Sequence, residues 1–264
     1  MSAALRTAVV GGGLIAQAIH LPNLARLRDA FELVAIADVS PRVAGALAER
    51  HAPARAYTDW ARMLDEEHLD AVVVCSPHAT HAEIVMATLD RGLHVLVEKP
   101  LCIVPDDAAA ICARREETGL VVQVGYMKRY DPAYEAFLDA LPASAEALRL
   151  VDVVTYDPWL AREPFVPWGR MVAGDDMPDE AVAALRRAEA EQVRRAVGTA
   201  DPASVRAYVQ TFLGALVHDV NLVHGLLERL GEPLPADVID GDWWNEGQAV
   251  TGAVRLSSGA RSNR

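Results

Sequence analysis

Thr7-Ala8-Val9-Val10-Gly11-Gly12-Gly13-Leu14-Ile15-Ala16 decides how this chain is read. A short apolar run of strand type enters a glycine triplet, and helix-compatible sequence follows from Gln17 to Arg28, interrupted by Pro22. The pattern is G-x-G-x-x-A at a strand-to-helix turn. Gly11 permits the tight turn, Gly13 lets a diphosphate approach the backbone, and Ala16 lets helix and strand pack closely. A diphosphate placed there meets the free amides and positive dipole end of the helix, at Leu14 and Ile15. A second apolar run, Leu33-Val34-Ala35-Ile36-Ala37, ends in Asp38. An acid in this place accepts hydrogen bonds from the hydroxyls of an adenosine ribose. It also repels a 2′-phosphate, which favours NAD over NADP, while nearby Arg42 works the other way.

Outward from this turn the first half alternates strand and helix. Apolar runs at 6–10, 32–37, 70–75, 93–97 and 120–124 predict strands, with helices over 14–29, 40–51, 59–65, 79–91 and 105–118. The runs are continuous rather than alternating, as parallel strands buried on both faces require. Right-handed crossovers would wind them into a Rossmann-type doubly wound parallel sheet of the α/β class. Ligands of such sheets bind beyond the carboxyl ends of the strands. Three features fall there: the glycine turn, Cys75-Ser76-Pro77-His78, and Glu98-Lys99-Pro100.

Composition bounds the partners. The 264 residues allow one large domain or two ordinary ones, and 52% hydrophobic residues can fill a core. A formal net charge of −12 argues against nucleic acid or an anionic membrane surface. Cys75, Cys102 and Cys112 form no C-x-x-C pair, so they read as reduced thiols rather than a disulfide framework, and no metal site is expected. No apolar stretch approaches the ~20 residues of a membrane span. The N-terminus lacks a signal-peptide layout, and the expected location is cytoplasmic.

Only two of the 25 basic residues are lysine. Ammonium can lose a proton near neutral pH and guanidinium cannot, so a Lys retained in Val97-Glu98-Lys99-Pro100 suggests chemistry. An ammonium near a reacting oxygen stabilises developing alkoxide charge and helps a proton move.

Gly11–Ala16, the strand ending in Asp38, Ser76-Pro77 with His81 shortly after, Gly92 to Leu101 through Glu98-Lys99-Pro100, and Val124-Gly125-Tyr126 followed by Arg129-Tyr130 resemble the glucose–fructose oxidoreductase / inositol dehydrogenase family. The resemblance covers about residues 5–135. It implies a Rossmann domain, here 1–125, followed by an α+β domain with an open, mostly antiparallel sheet, here 126–264. It implies NAD(P)-dependent oxidation or reduction of a sugar, cyclitol or related polyol. It places Lys99 beside the nicotinamide, before a proline that is often cis, and implies cofactor contacts from Ser76, Pro77, His81 and Glu98.

In the second half, 205–230 reads as one amphipathic helix ending at Gly231, with Pro233 beyond. His218, Asn221 and His224 can share one face of it. By resemblance His218 is the general acid/base and Asn221 takes a substrate-binding position that carries Asp in relatives, while His224 reads as structural. The family's pattern often has an Asp four residues before that His; this chain has Gly214. Asp219 points elsewhere on a helix and is a poor substitute. Lys128 and Arg129, at the entry to the second domain, suit a polyol or an anionic sugar substituent, and Trp159, Trp168 and Arg170 are further lining candidates.

Residues 172–200 read as acids from Asp175 onward starting an Ala/Arg/Glu-rich helix, a solvated charged helix or cover over the site, with a partner-binding arm as the alternative. Val238–Ile239, Ala249–Leu256, Leu150–Tyr156 and the polar 257–264 offer few strands, so a shortened second domain completed in a homo-oligomer is expected. The sequence reading is an NAD-dependent dehydrogenase or ketoreductase. The alternatives are an NAD-assisted glycosidase and a catalytically silent dinucleotide-binding sensor.

Overall fold

The computed structural model describes residues 3–52, 54–156, 170–234, 237–256 and 261–263. The chain forms two compact units. The first comprises the chain through Gly125 together with a later segment that is described from Arg170 and ends at Ala196. The sequence reading placed that later segment in the second domain. Its hydrogen bonds instead run to the first unit, through Gln17, Arg42, Ala79 and Asp107.

The sheet of the first unit contains β1 (Leu5–Val10), β2 (Phe31–Ala37), β3 (Arg55–Tyr57), β4 (Ala71–Val74), β5 (His94–Val97) and β6 (Val122–Val124). Their order is β3-β2-β1-β4-β5-β6, and every pairing is parallel. The order reverses between β1 and β4, which opens a crevice at their carboxyl ends. Alternate residues feed two core layers. Ala8, Val10, Val72 and Val74 pack against Ile84, Val85 and Leu89 of α4 (His78–Asp90). Val9, Ile36 and Val73 face Leu21 and Leu24 of α1 (Leu21–Arg26) and Val43 and Leu47 of α2 (Pro41–Arg50). Helices α3 (Trp60–Glu66) and α5 (Pro105–Thr118) complete the crossovers.

Two details differ from expectation. The helix after the glycine turn contains a π turn over Ala16–His20 before α1. Pro22, which has no N–H to return to the preceding turn, lies two residues after it. Strand β3 was not anticipated. It is a three-residue edge strand with mostly exposed side chains.

The second unit holds α6 (Pro132–Asp139), β7 (Leu150–Asp152), α8 (Pro202–Val205), α9 (Val217–Arg229), β8 (Asp237–Trp244), β9 (Ala249–Arg255) and β10 (Arg261–Asn263). Helix α7 (Asp179–Val197) lies before α8 in the chain and belongs, through Ala196, to the first unit. The sheet order is β7-β10-β9-β8, antiparallel except for β10 with β7. Val223, Leu226 and Leu227 of α9, with Leu230 at its C-cap, pack with Leu256 and Ala145 to form its core. The α+β class holds, with four strands among the described residues where the sequence suggested fewer.

The expected helix over 205–230 is helical throughout, but Arg206–Leu216 is wound as a π-helix. That winding gives Gly214 a physical reason. A Cβ there would stand 3.2 Å from the carbonyl oxygen of Val209, one wide turn earlier.

Candidate functional site

At the crevice of the first unit, Gly11 has φ +91°, and a Cβ on it would lie 2.6 Å from the backbone of Cys75 and Ser76. The glycine turn therefore presses against the loop after β4, which only glycine allows. Gly12 packs against α2, where a Cβ would strike Val43 and Leu47. Gly13 is different. It is exposed, and a Cβ on it would meet nothing within 4 Å. Its backbone is open to a diphosphate, next to the helix that begins at Leu14.

Asp38 ends β2 and is held from two sides. Its Oδ2 accepts from the Gly12 amide at 2.7 Å and its Oδ1 from the Ser40 amide at 2.8 Å. Each oxygen keeps a second lone pair for a ribose hydroxyl. A pocket of about 110 Å³ opens beside it, lined by residues that include Gly11, Asp38, Trp60, Ser76, Pro77 and Thr80. The open backbone at Gly13, the fixed carboxylate and this apolar slot fit a dinucleotide.

The loop after β5 carries Glu98, Lys99 and a cis Lys99–Pro100 peptide. Glu98 is not a solvated loop acid. Its Oε1 lies 2.7 Å from His20 Nε2, and its Oε2 accepts from the Lys99 amide at 3.2 Å. Burial alone would raise its carboxyl, but the hydrogen bond and charge of His20, with the Lys99 amide and charge, hold it below the usual carboxylate range. A Cβ on Gly125 would come within 3.2 Å of that carboxylate, so the glycine after β6 leaves it room.

His81 is fully buried. Its Nδ1 is 2.7 Å from the Pro100 carbonyl oxygen and its Nε2 2.8 Å from that of Ser76. The ring thus packs between the Lys99-Pro100 loop and the Ser76-Pro77 turn, and in its neutral form donates to one of the two carbonyls. Burial lowers its pKa while the two carbonyls pull the other way. Expected to contact a cofactor, it is instead a brace, because a side chain with no exposure cannot touch one. His78, whose ring lies 5.7 Å from that of His81, is pushed down to about 4 by burial, with His81 and Lys99 adding to it. Burial, with Glu98 nearby, raises the Cys75 thiol and keeps it inert.

In the second unit, His218 and Asp219 are both buried on α9. Asp219 turns away from a relay role. It accepts from Thr155 Oγ1 at 2.5 Å and pairs with Lys128 Nζ at 3.3 Å. Asn221 carries a buried Oδ1 with no hydrogen-bond partner among the described residues. Arg129 is committed to packing. It donates to the Asn221 carbonyl oxygen at 3.1 Å and pairs with Glu228 at 2.6 Å. The guanidinium lies over Gly225, where a Cβ would meet it at 2.7 Å. Trp159 and Trp168 lie outside the described residues, and the Arg170 carbonyl accepts from Arg50 at 3.3 Å.

Residues 5–126 match the family described as an oxidoreductase family with an NAD-binding Rossmann fold. The match covers the segment that carries the crevice and extends no further along the chain. Among its curated relatives, the 4-carboxy-2-hydroxymuconate-6-semialdehyde dehydrogenase of a Sphingobium species is 33% identical over 152 residues, 58% of this chain and 48% of that protein. The inositol 2-dehydrogenase of Rubrobacter xylanophilus is 38% identical over 138 residues, 52% of this chain and 39% of that protein. The chain thus aligns with about half or less of the length of these relatives. The structure of the WlbA dehydrogenase of Bordetella pertussis, in complex with NADH and UDP-GlcNAcA, superposes with a TM-score of 0.70 at 21% identity. That likeness covers 98% of this chain and 70% of the other, and it concerns the fold.

Within the matched segment, the structure brings Gly11, Gly13, Asp38, Ser76 and Pro77 to one crevice, and joins Glu98 and Lys99 to it through His81 and His20. Sequence reasoning missed His20, four residues past Ala16 on the helix that begins the motif. It also missed Gln17, whose side chain donates to the carbonyl oxygens of Gly12 and Val172 at 2.7 and 3.0 Å and accepts from the Val172 amide at 2.8 Å. An amide or imidazole on the inner face of this helix was the available signal. The strap that Gln17 holds had none.

Proposed function

We propose that the chain is an NAD-dependent oxidoreductase acting between a secondary alcohol and its ketone on a sugar, cyclitol or aminosugar-like polyol. The observation that carries this reading is the crevice at β1 and β4. It combines an open glycine backbone, a fixed ribose-type acid, and a half-buried lysine on a loop braced by His81. Bound NAD would supply the hydride acceptor. The backbone of Gly13 and the helix start at Leu14 and Ile15 hold the diphosphate, and Asp38 holds the adenosine ribose. Asp38 favours NAD over NADP by repelling a 2′-phosphate.

Removing a hydride from a secondary alcohol leaves a proton to be taken from the oxygen. In this reading Lys99 stabilises the developing alkoxide, and His218 is the acid/base that exchanges its proton. Asn221 presents an acceptor oxygen to a substrate hydroxyl. Lys128, held by Asp219, adds a cation, and Arg129 fixes the turn that carries it. The reading includes a cytoplasmic homo-oligomer, which a monomer mass by light scattering at micromolar concentration would refute.

The test is a fluorescence titration with NADH, followed by an absorbance screen of polyols. The relative named for a semialdehyde makes carboxylated aldehydes the first addition to that screen. Lys99→Ala should bind NADH as the parent does and lose turnover by about 10²- to 10³-fold. Equal turnover would remove Lys99 from the mechanism. Tight NADH binding with no turnover on any substrate would favour the silent sensor, a reading that Gly214 in place of a relay acid also supports.

A further inference from the structure

Arg42 stands four residues past Asp38, in the loop-to-helix position from which an arginine can receive the 2′-phosphate of NADP. In this structure it is already occupied. Its guanidinium pairs with the Asp175 carboxylate and donates to the carbonyl oxygen of Ala173. The start of α2 is occupied too. Ser40, buried at the N-cap of that ten-residue helix, accepts from the Val43 amide at 3.0 Å and donates its hydroxyl hydrogen to Asp176 Oδ1. The other oxygen of Asp176 accepts from the Arg42 amide at 3.0 Å. The Ser40 hydrogen bond, together with the Arg42 amide and charge, holds the Asp176 carboxyl below its usual range.

The segment that brings these acids is anchored independently of them. Val172 packs into the core layer of β1 and α2, its amide and carbonyl are both bonded to the Gln17 side chain, and a Cβ on Gly174 would lie 3.5 Å from Val43 and 3.6 Å from Ser40. The acids are thus delivered to one place by a fixed strap.

We propose that Asp175 and Asp176 are cofactor-selectivity residues, which fill from within the chain the hydroxyl, helix terminus and guanidinium that would otherwise take a 2′-phosphate. The inference rests on the dinucleotide reading and deepens it. Asp38 rejects the phosphate by repulsion. The strap removes the groups that could offset that repulsion, and adds two further negative charges. An incoming phosphate, carrying about −1.5 to −2 charge at neutral pH, would have to displace carboxylates already seated on a helix dipole and an arginine.

The test is a fluorescence titration of the full chain with NADH and NADPH, with adenosine 2′-monophosphate as a competing probe. It compares the parent, Asp175→Asn/Asp176→Asn, and that pair combined with Arg42→Ala. The paired variant should bind NADPH and the 2′-phosphate probe about tenfold more tightly, the scale of a charged hydrogen bond, with NADH affinity little changed. Adding Arg42→Ala should abolish the gain. If the parent binds NADH and the paired variant gains nothing for NADPH, the inference is overturned while the dinucleotide reading stands. If the parent binds neither cofactor, the dinucleotide reading itself fails and takes the inference with it. Should the paired variant melt early, Asp175→Asn alone decides. That exposed carboxylate reaches Arg42 and not the helix terminus, so a smaller NADPH gain supports the inference and none refutes it.

Discussion

Gly11 and Gly13, two residues apart in one turn, separate shape from binding. Gly11→Ala forces a side chain at φ +91° into the backbone of Cys75 and Ser76. It should cost on the order of 1–3 kcal/mol or more, and be read as a lower melting temperature. Gly13→Ala meets open space. Its melting temperature should match the parent while NADH affinity falls, because the added methyl stands where a diphosphate approaches. Equal NADH affinity in Gly13→Ala would place the diphosphate elsewhere. His78 supplies a pH signature. Its folded pKa of about 4 lies below the value of about 6.5 for an unfolded histidine. The unfolded chain therefore binds the extra proton first, and stability present above pH ~6.5 is lost as pH falls toward 4. Melting curves across that window should show a shallower decline in His78→Asn than in the parent, and identical slopes would contradict the assignment.

At the scale of elements, the strands were legible because burial on both faces forces continuous apolar runs, as in Ala71-Val72-Val73-Val74. Strand β3 was not, since Arg55-Ala56-Tyr57 sits at an edge and needs no apolar run. The π winding of Arg206–Leu216 was hidden as well, because a hydrophobic stripe does not reveal whether a helix bonds four or five residues back. The contact of α9 with the turn at Met127–Tyr130 depends on Gly225. Tyr134 Oη donates to the Leu222 carbonyl at 2.6 Å, and a Cβ on Gly225 would lie 2.5 Å from that hydroxyl. Gly225→Ala should therefore destabilise the second unit by about 1–3 kcal/mol through overpacking. An unchanged denaturation midpoint would mean that Tyr134 and Arg129 move aside freely.

For the molecule as a whole, the crevice at β1 and β4 was readable from Gly11, Gly13, Asp38 and Lys99 because its features lie in short local motifs. What escaped is what acts at long range. Gln17 and Val172 are 155 residues apart, and Ser40 and Asp176 are 136 apart. Their bonds are polar and few, so no periodicity announces them. The acids at Asp175 and Asp176 read locally as the opening of a helix. That helix starts at Asp179, and the two acids serve another helix altogether.

The first unit is made from two separate stretches of the chain, with residues 126–159 between them. Translation is vectorial, so the peptide carrying all six parallel strands leaves the ribosome before Val172 and Asp176 have been synthesised. During that interval the Gln17 carboxamide, the Ser40 hydroxyl and the Arg42 guanidinium lack the partners that the later stretch supplies. The nascent sheet can assemble early, but the charge pattern around Asp38 is complete only once the later stretch has docked.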